Sequence, residues 1–280
     1  LAANLQDTTI LRLMAEAGGD INSTQQQGRS ALYTASWNNQ IEAVAYLCKQ
    51  GANVDQQNTD GWSAIFAAAS RGHIAVVQML VERWGAKVNT QSKMGTTPLY
   101  HAVEHGKLEV ARFLLDHGAD VNLSADKSWA PIHVAVDDPK LTELLIERGA
   151  RIEAKVASAK NYTPLMFAVS VTKPAPAVIQ MLLDKGAGQQ RVNENGQTAL
   201  HLAVFRGQLE ATKALCEHPK NTDDPAKKNA KDRNALDLAV FIGKQEIGEY
   251  LSATMGVSVP KVKEGNKMKT KSTEVTVHKP

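Results

Sequence analysis

The chain repeats itself about every 33 residues, and that period constrains the fold before any single residue is weighed. Gly28, Gly61, Gly95, Ser128, Asn161, Gly196 and Asp232 open matching blocks, at spacings of 33, 34, 33, 33, 35 and 36 residues. Each block holds a turn, two short apolar segments at helical spacing and a polar connector. A unit of this size cannot bury its apolar face alone. Stacked neighbours can, so the pattern predicts an elongated stack of repeats in place of one globular core.

The block from Gly95 shows how one unit is written. Thr97 is placed to cap a first helix, and Pro98 fits the first turn, where no backbone donor is needed. Leu99, Ala102 and Val103 form its apolar stripe, and Gly106 ends it. Leu108, Val110, Ala111, Leu114 and Leu115 supply the buried face of a second helix, closed by Gly118. Asp120-Val121-Asn122 leads to the next unit.

These blocks resemble ankyrin repeats. The resemblance rests on Thr97-Pro98-Leu99, Thr163-Pro164-Leu165, Thr198-Ala199-Leu200-His201, Gly51-Ala52-Asn53-Val54-Asp55 and Gly118-Ala119-Asp120-Val121-Asn122, and it covers roughly residues 1 to 251. It implies an all-α ankyrin-repeat solenoid of stacked helix-turn-helix units with short hairpin-like loops. The expected organisation is a partial capping repeat over 1–27, six repeats over 28–231, a capping repeat over 232–251 and a basic, flexible tail over 252–280. In the first cap Leu11, Leu13 and Met14 are expected to face inward, with Gly18-Gly19-Asp20-Ile21-Asn22 echoing the connector.

Three blocks depart from the pattern. In the fourth, Asp137-Asp138-Pro139 replaces the helix-ending glycine and the stretch to Gly149 is two residues short, so its second helix is expected to be short and 155–160 to form a longer loop. In the fifth, Thr172-Lys173-Pro174-Ala175-Pro176 is a stiff insertion between helices. In the sixth, His218 to Lys231 reads as an extended polar loop.

Composition removes several function classes. The net charge is +3, but residues 252–280 hold six Lys against two Glu, so the rest carries about −1 and is not an electrostatic nucleic-acid binder. The tail 259–280 reads as a solvated segment, the alternative being an electrostatic contact with an acidic surface. No run of about 18 apolar residues predicts a membrane span. The start, Leu1 to Asp7, lacks the basic-then-apolar order of a secretory leader. Cys48 and Cys216 form no metal-like pair, and unbridged thiols fit a reducing compartment, cytoplasm or nucleus.

What the resemblance implies about partners is a protein or peptide held in a concave groove by hairpin tips and the exposed side of the first helices. Those positions hold Arg29, Trp37, Trp62, Arg71, Met94 and His105, then Trp129, Tyr162, Phe205, Arg206 and Phe241. Six of the fourteen aromatics and three of the four Trp fall there, and they are expected to be largely exposed. Trp, Tyr and Arg are the residue types that dominate binding hot spots. The family also implies hydroxylation of connector asparagines by an oxygenase, and Asn122 has the best context among Asn53, Asn89 and Asn122.

His101-Ala102-Val103-Glu104-His105 matches an inverted zinc-protease pattern, with two His one turn apart and no third ligand evident from spacing. Its register in a first helix points instead to exposed contact histidines. His133 and His201 are expected to tie loop backbones together, as the family's equivalent His does. No phosphate loop and no nucleophile–base pair stands out, and no cofactor or metal is expected. The sequence therefore reads as a non-enzymatic interaction module, an adaptor, scaffold or secreted effector. The alternatives are a structural subunit docked through groove and tail and a metal-dependent enzyme using His101-Ala102-Val103-Glu104-His105.

Overall fold

The computed structural model describes residues 13, 16–125, 129–219, 224 and 226–258. These form two compact units, Leu1–Pro131 with Glu147–Ala150 and Ile132–Ile146 with Arg151–Pro280. Helices account for nearly all regular structure, with two isolated β-bridges, Thr24 with Ser30 and Val156 with Tyr162, among the described residues.

In the N-terminal unit the helices are α1 (Ala31–Trp37), α2 (Ile41–Lys49), α3 (Ala64–Arg71), α4 (Ile74–Gln78, continued by a π-helical turn Met79–Arg83), α5 (Pro98–Glu104) and α6 (Leu108–Asp116). First helices stack on first helices, α1 on α3 on α5, and second helices on second, α2 on α4 on α6. Small residues set the close approach: Ala67, Ala68, Ala69 and Ala102 are all fully buried. After α7 (Pro131–Val134) and α8 (Pro139–Glu147), the C-terminal unit continues with α9 (Pro164–Ala168), α10 (Pro176–Asp184), α11 (Ala199–Arg206), α12 (Leu209–Glu217), α13 (Ala235–Phe241) and α14 (Gln245–Met255). There α11 packs on α13 and on α9, while α12 packs on α10 and α14.

The turn chemistry follows the repeat. Gly28, Gly61, Gly95, Asn161, Gly196 and Asp232, the block-opening positions, all have φ between 56° and 83°. Asn and Asp tolerate that left-handed region better than other side chains, which is why the blocks at Asn161 and Asp232 open without glycine; Ser128 lies outside the described residues. The next residues cap the first helices: the hydroxyls of Ser30, Thr97, Thr163 and Thr198 accept the backbone N–H of Tyr33, Tyr100, Met166 and His201. Adjacent hairpin tips are joined by backbone bonds, Thr59 N–H to Gln27 O and Lys93 N–H to Asp60 O, each 2.9 Å.

Connectors are joined by a side-chain ladder. Asn22 Oδ1 accepts Asn53 N–H at 2.7 Å, Asp55 Oδ1 accepts Lys87 N–H at 3.0 Å, and Asn89 Oδ1 accepts Asp120 N–H at 2.8 Å. Asn53 joins this ladder through its backbone N–H and not through its side chain. Like Asp20 and Asp120, it closes a local turn, accepting the N–H two residues on.

The one extra residue in the second block lies between Gly72 and Gly85 and is absorbed by the π-helical turn. In the fourth block the second helix is not short. Helix α8 has nine residues, as α6 does, and the first helix, α7, has four. Asp138 explains this: its Oδ1 accepts the N–H of Lys140 and Leu141, at 2.9 and 3.1 Å, and Pro139 occupies the first turn. The Asp-Pro pair starts a full helix, so the deletion falls on the helix before it. Residues 155–160 hold a single 3-10 turn, Ala157–Ala159.

In the first cap Leu13 is 59% exposed, against the expected inward packing; Leu11 and Met14 lie outside the described residues, as do the segment 1–12 and the tail 259–280. The connector Gly18 to Asn22 is in place, since Asn22 bonds the next repeat.

His133 and His201 act as ties. Their Nε2 atoms lie 3.0 Å from Ala154 O and Arg233 O; a carbonyl only accepts, so each ring donates there. His201 Nδ1 then accepts Thr198 N–H at 3.3 Å. Burial depresses the His201 pKa below its ordinary 6.5, and His73 moves the same way for the same cause. Protonation is resisted in the folded state and free in the unfolded one. The stability these rings contribute is complete above about pH 6.5 and is lost as pH falls. Urea midpoints measured from pH 8 to pH 5 are expected to drop, and His201→Gln is expected to start lower and fall less.

Candidate functional site

In the N-terminal unit, the stack of α1, α3 and α5 brings the side chains of three first helices into one row. On α1, Tyr33 and Trp37 are four residues apart, and their rings stack with centroids 6.3 Å apart. Arg29 lies 5.7 Å from the Tyr33 ring centre, and Arg71, from the end of α3, lies 5.1 Å from that of Trp37. The two guanidiniums thus flank the stacked ring pair, Arg29 on Tyr33 and Arg71 on Trp37. Beside them Gln25, Gln26, Gln27, Arg29, Tyr33, Thr34, Trp37 and Asn38 line an open cavity of about 790 Å³. His73 Nε2 donates to Trp37 O at 3.0 Å, fixing the end of α1 against the next repeat.

The row continues through Trp62. Its indole stacks on Phe66 at 5.7 Å and lies 4.4 Å from the His101 ring. His101 Nδ1 meets Glu104 Oε2 at 3.0 Å, and its Nε2 meets Thr96 Oγ1 at 2.9 Å. Thr96 Oγ1 is in turn 2.6 Å from Ser92 Oγ. His105 Nε2 approaches the same Glu104 oxygen at 4.0 Å. Met94 stands 51% exposed at the neighbouring hairpin tip.

Exposure divides the candidates. Arg29, Arg71, Met94, His105 and Phe205 are exposed, while Trp37, Trp62, Tyr162, Arg206 and Phe241 are half-buried. Trp129 is buried at 5%, contrary to the expected exposure. It precedes the shortened α7 and accepts Ala125 N–H on its carbonyl at 2.7 Å. An indole gains by leaving water wherever neighbours offer a wall, and here they do. His101 is buried as well, at 6%, so only His105 of that pair is an exposed contact histidine. Nor does the motif lack a third donor, because Glu104 stands between the two rings.

In the C-terminal unit Tyr162 packs on Phe167 at 5.3 Å, and burial pushes its phenol pKa up. Phe205 is 49% exposed. The Arg233 guanidinium sits 3.6 Å from the Phe241 ring centre. Asn122 donates from Nδ2 to Gly149 O at 3.0 Å, the bond Asn89 makes to Gly118 O at 2.9 Å, so its amide serves the connector ladder. Cys48 is a buried, unbridged thiol with its pKa pushed up to about 11 by burial. Reading the tips and helix faces one position at a time missed Tyr33 and Phe66, the buried rings on which Trp37 and Trp62 stack. The signal was present: each lies four residues after or before a chosen partner, on the same helical face.

The chemistry on this surface is stacking, cation–π contact and hydrogen bonding. Among the described residues no helix is long and apolar enough to cross a membrane.

A family model described as ankyrin repeats (3 copies) matches residues 1–92, 52–125, 84–156 and 165–261. Ankyrin repeat protein nuc-2 of Neurospora crassa is 27% identical over 218 residues, 76% of this chain and 20% of the relative. Palmitoyltransferase ZDHHC13 of Mus musculus is 28% identical over 240 residues, 85% of this chain and 32% of the relative. The chain spans about a third or less of these curated relatives. The crystal structure of the human ASB11 ankyrin repeat domain superposes with a TM-score of 0.70 at 27% identity, covering 84% of this chain and 100% of that one. Matched by the family model along most of its length and built from the same stacked helix pairs, the chain belongs to the ankyrin-repeat family.

Proposed function

We propose that this chain is a non-enzymatic protein-interaction module, an adaptor or scaffold that holds a protein or peptide along its first helices and hairpin tips. The observation that carries this reading is the row Arg29, Tyr33, Trp37, Arg71 and Trp62, flanked by exposed Met94 and His105. The half-buried Trp37 and Trp62 rings, held by neighbours that include the buried Tyr33 ring, are already ordered, so a partner gains their remaining surface at little cost in side-chain entropy. Exposed arginines on the ring faces offer bidentate donors to a carboxylate or a peptide carbonyl. Phe205, Arg206, Tyr162 and Phe241 are the corresponding candidates in the C-terminal unit. Ankyrin repeats in general bind protein partners, which agrees with this reading.

Because Trp129 is buried, a test by substitution omits it. Affinity capture from matched lysate compares wild type with a Trp37→Ala/Arg71→Ala variant whose helicity is unchanged by circular dichroism. A bound protein retained by wild type is expected to be weakened by about 2 kcal/mol or more in the variant. Equal retention by both overturns the reading.

A further inference from the structure

We propose that His101, Glu104 and His105 form a binding site for a divalent transition metal of the zinc class. They are the first, fourth and fifth residues of one helical turn at the end of α5, and one donor atom from each lies within 4.8 Å of the others. A four-coordinate zinc with bonds of about 2.0–2.1 Å needs its ligand atoms roughly 3.4 Å apart. The two separations from Glu104 Oε2, 3.0 Å to His101 Nδ1 and 4.0 Å to His105 Nε2, bracket that spacing. A small turn of the half-exposed His105 ring is enough to close the site. Two imidazoles and one carboxylate favour zinc, nickel or copper over magnesium or calcium, which prefer all-oxygen sets.

The surroundings are those of a built site. His101 is held from behind by Thr96 Oγ1, which rests on Ser92 Oγ, and the Trp62 indole covers its ring. A carboxylate only accepts, so the neutral metal-free ring carries its proton on Nδ1 and accepts the Thr96 hydroxyl at Nε2. With metal on Nδ1, the same single proton sits on Nε2 and is donated to Thr96 Oγ1, whose hydroxyl turns to Ser92. The ring changes tautomer, the Nδ1–H bond to Glu104 gives way to the metal, and each polar atom keeps a partner. This outer contact is the kind that orients metal-bound histidines. His105 is 47% exposed at its side chain, so an ion can enter from that side and a fourth position stays open to water.

The test is a titration of the tag-free full-length chain with zinc chloride by isothermal calorimetry, repeated with His105→Ala and Glu104→Gln. Cobalt(II) quenching of Trp62 fluorescence, absent in Trp62→Phe, supplies a local readout. One equivalent bound by wild type, with affinity at least roughly tenfold weaker in both variants, supports the site. No saturable uptake by wild type overturns it. So does uptake that both variants retain in full, since other surface histidines are then the ligands. No partner protein enters this experiment, so its failure leaves the interaction reading where it stands.

Discussion

Gly61→Ala is expected to lower the unfolding free energy by roughly 2–5 kcal/mol, far more than the same change at Gly118. Both glycines have a positive φ, 83° and 85°. An alanine in that region costs about 1–2 kcal/mol on conformation alone. At Gly118 a new Cβ meets nothing within 4 Å, so the conformational cost is all there is. At Gly61 it would lie 2.7 Å from Lys93 N and 2.9 Å from Ser92 Cα. Those are backbone atoms of the next hairpin, and they cannot swing aside. The displaced loop is also the one that bonds Lys93 N–H to Asp60 O and places Ser92 under Thr96. Urea unfolding of the two variants separates the terms: their difference is the cost of hairpin-on-hairpin contact. Equal losses at both positions would show that the tips yield freely.

The second large effect is expected in the core of the stack. Leu114→Ala should cost about 2–5 kcal/mol, because Leu114 is fully buried and its loss leaves a cavity. Leu115, its neighbour on α6, is half-exposed, and Leu115→Ala should cost about 1 kcal/mol or less. Helix α6 packs on α5 within its own repeat and on α4 of the one before. A cavity there weakens the interface that neither repeat can replace internally, so thermal and urea midpoints fall together. Similar losses at Leu114 and Leu115 would contradict the packing of α6.

Much of this architecture was readable from period and turn residues. The described block-opening positions have the left-handed backbone that Gly, Asn and Asp announce, and Thr97, Thr163 and Thr198 cap the helices they precede. Such features are local, decided within a few residues of the chain. The fourth block was misread because a deletion of two residues can be taken from either helix. Spacing does not reveal that Asp138 and Pro139 start α8 afresh and leave the loss to α7.

The binding surface was legible by position and less so by exposure. Trp62 and Trp129 stand one residue after matching block openings, yet one is half-buried against His101 and the other is 5% exposed. Nothing in the neighbouring sequence distinguishes them, since burial depends on what the adjoining repeat brings within reach. The convergence of His101, Glu104 and His105 has the same character. Helical spacing put the three on one turn, but the depth of His101 comes from packing against Trp62 and Phe66 of the preceding repeat. The sequence by itself determined the repeat, its register, its caps and its turns, because short-range sterics and hydrogen bonds act within one unit. The tertiary structure alone decided which side chains are exposed and which donors meet, because those depend on contacts between residues about 33 positions apart.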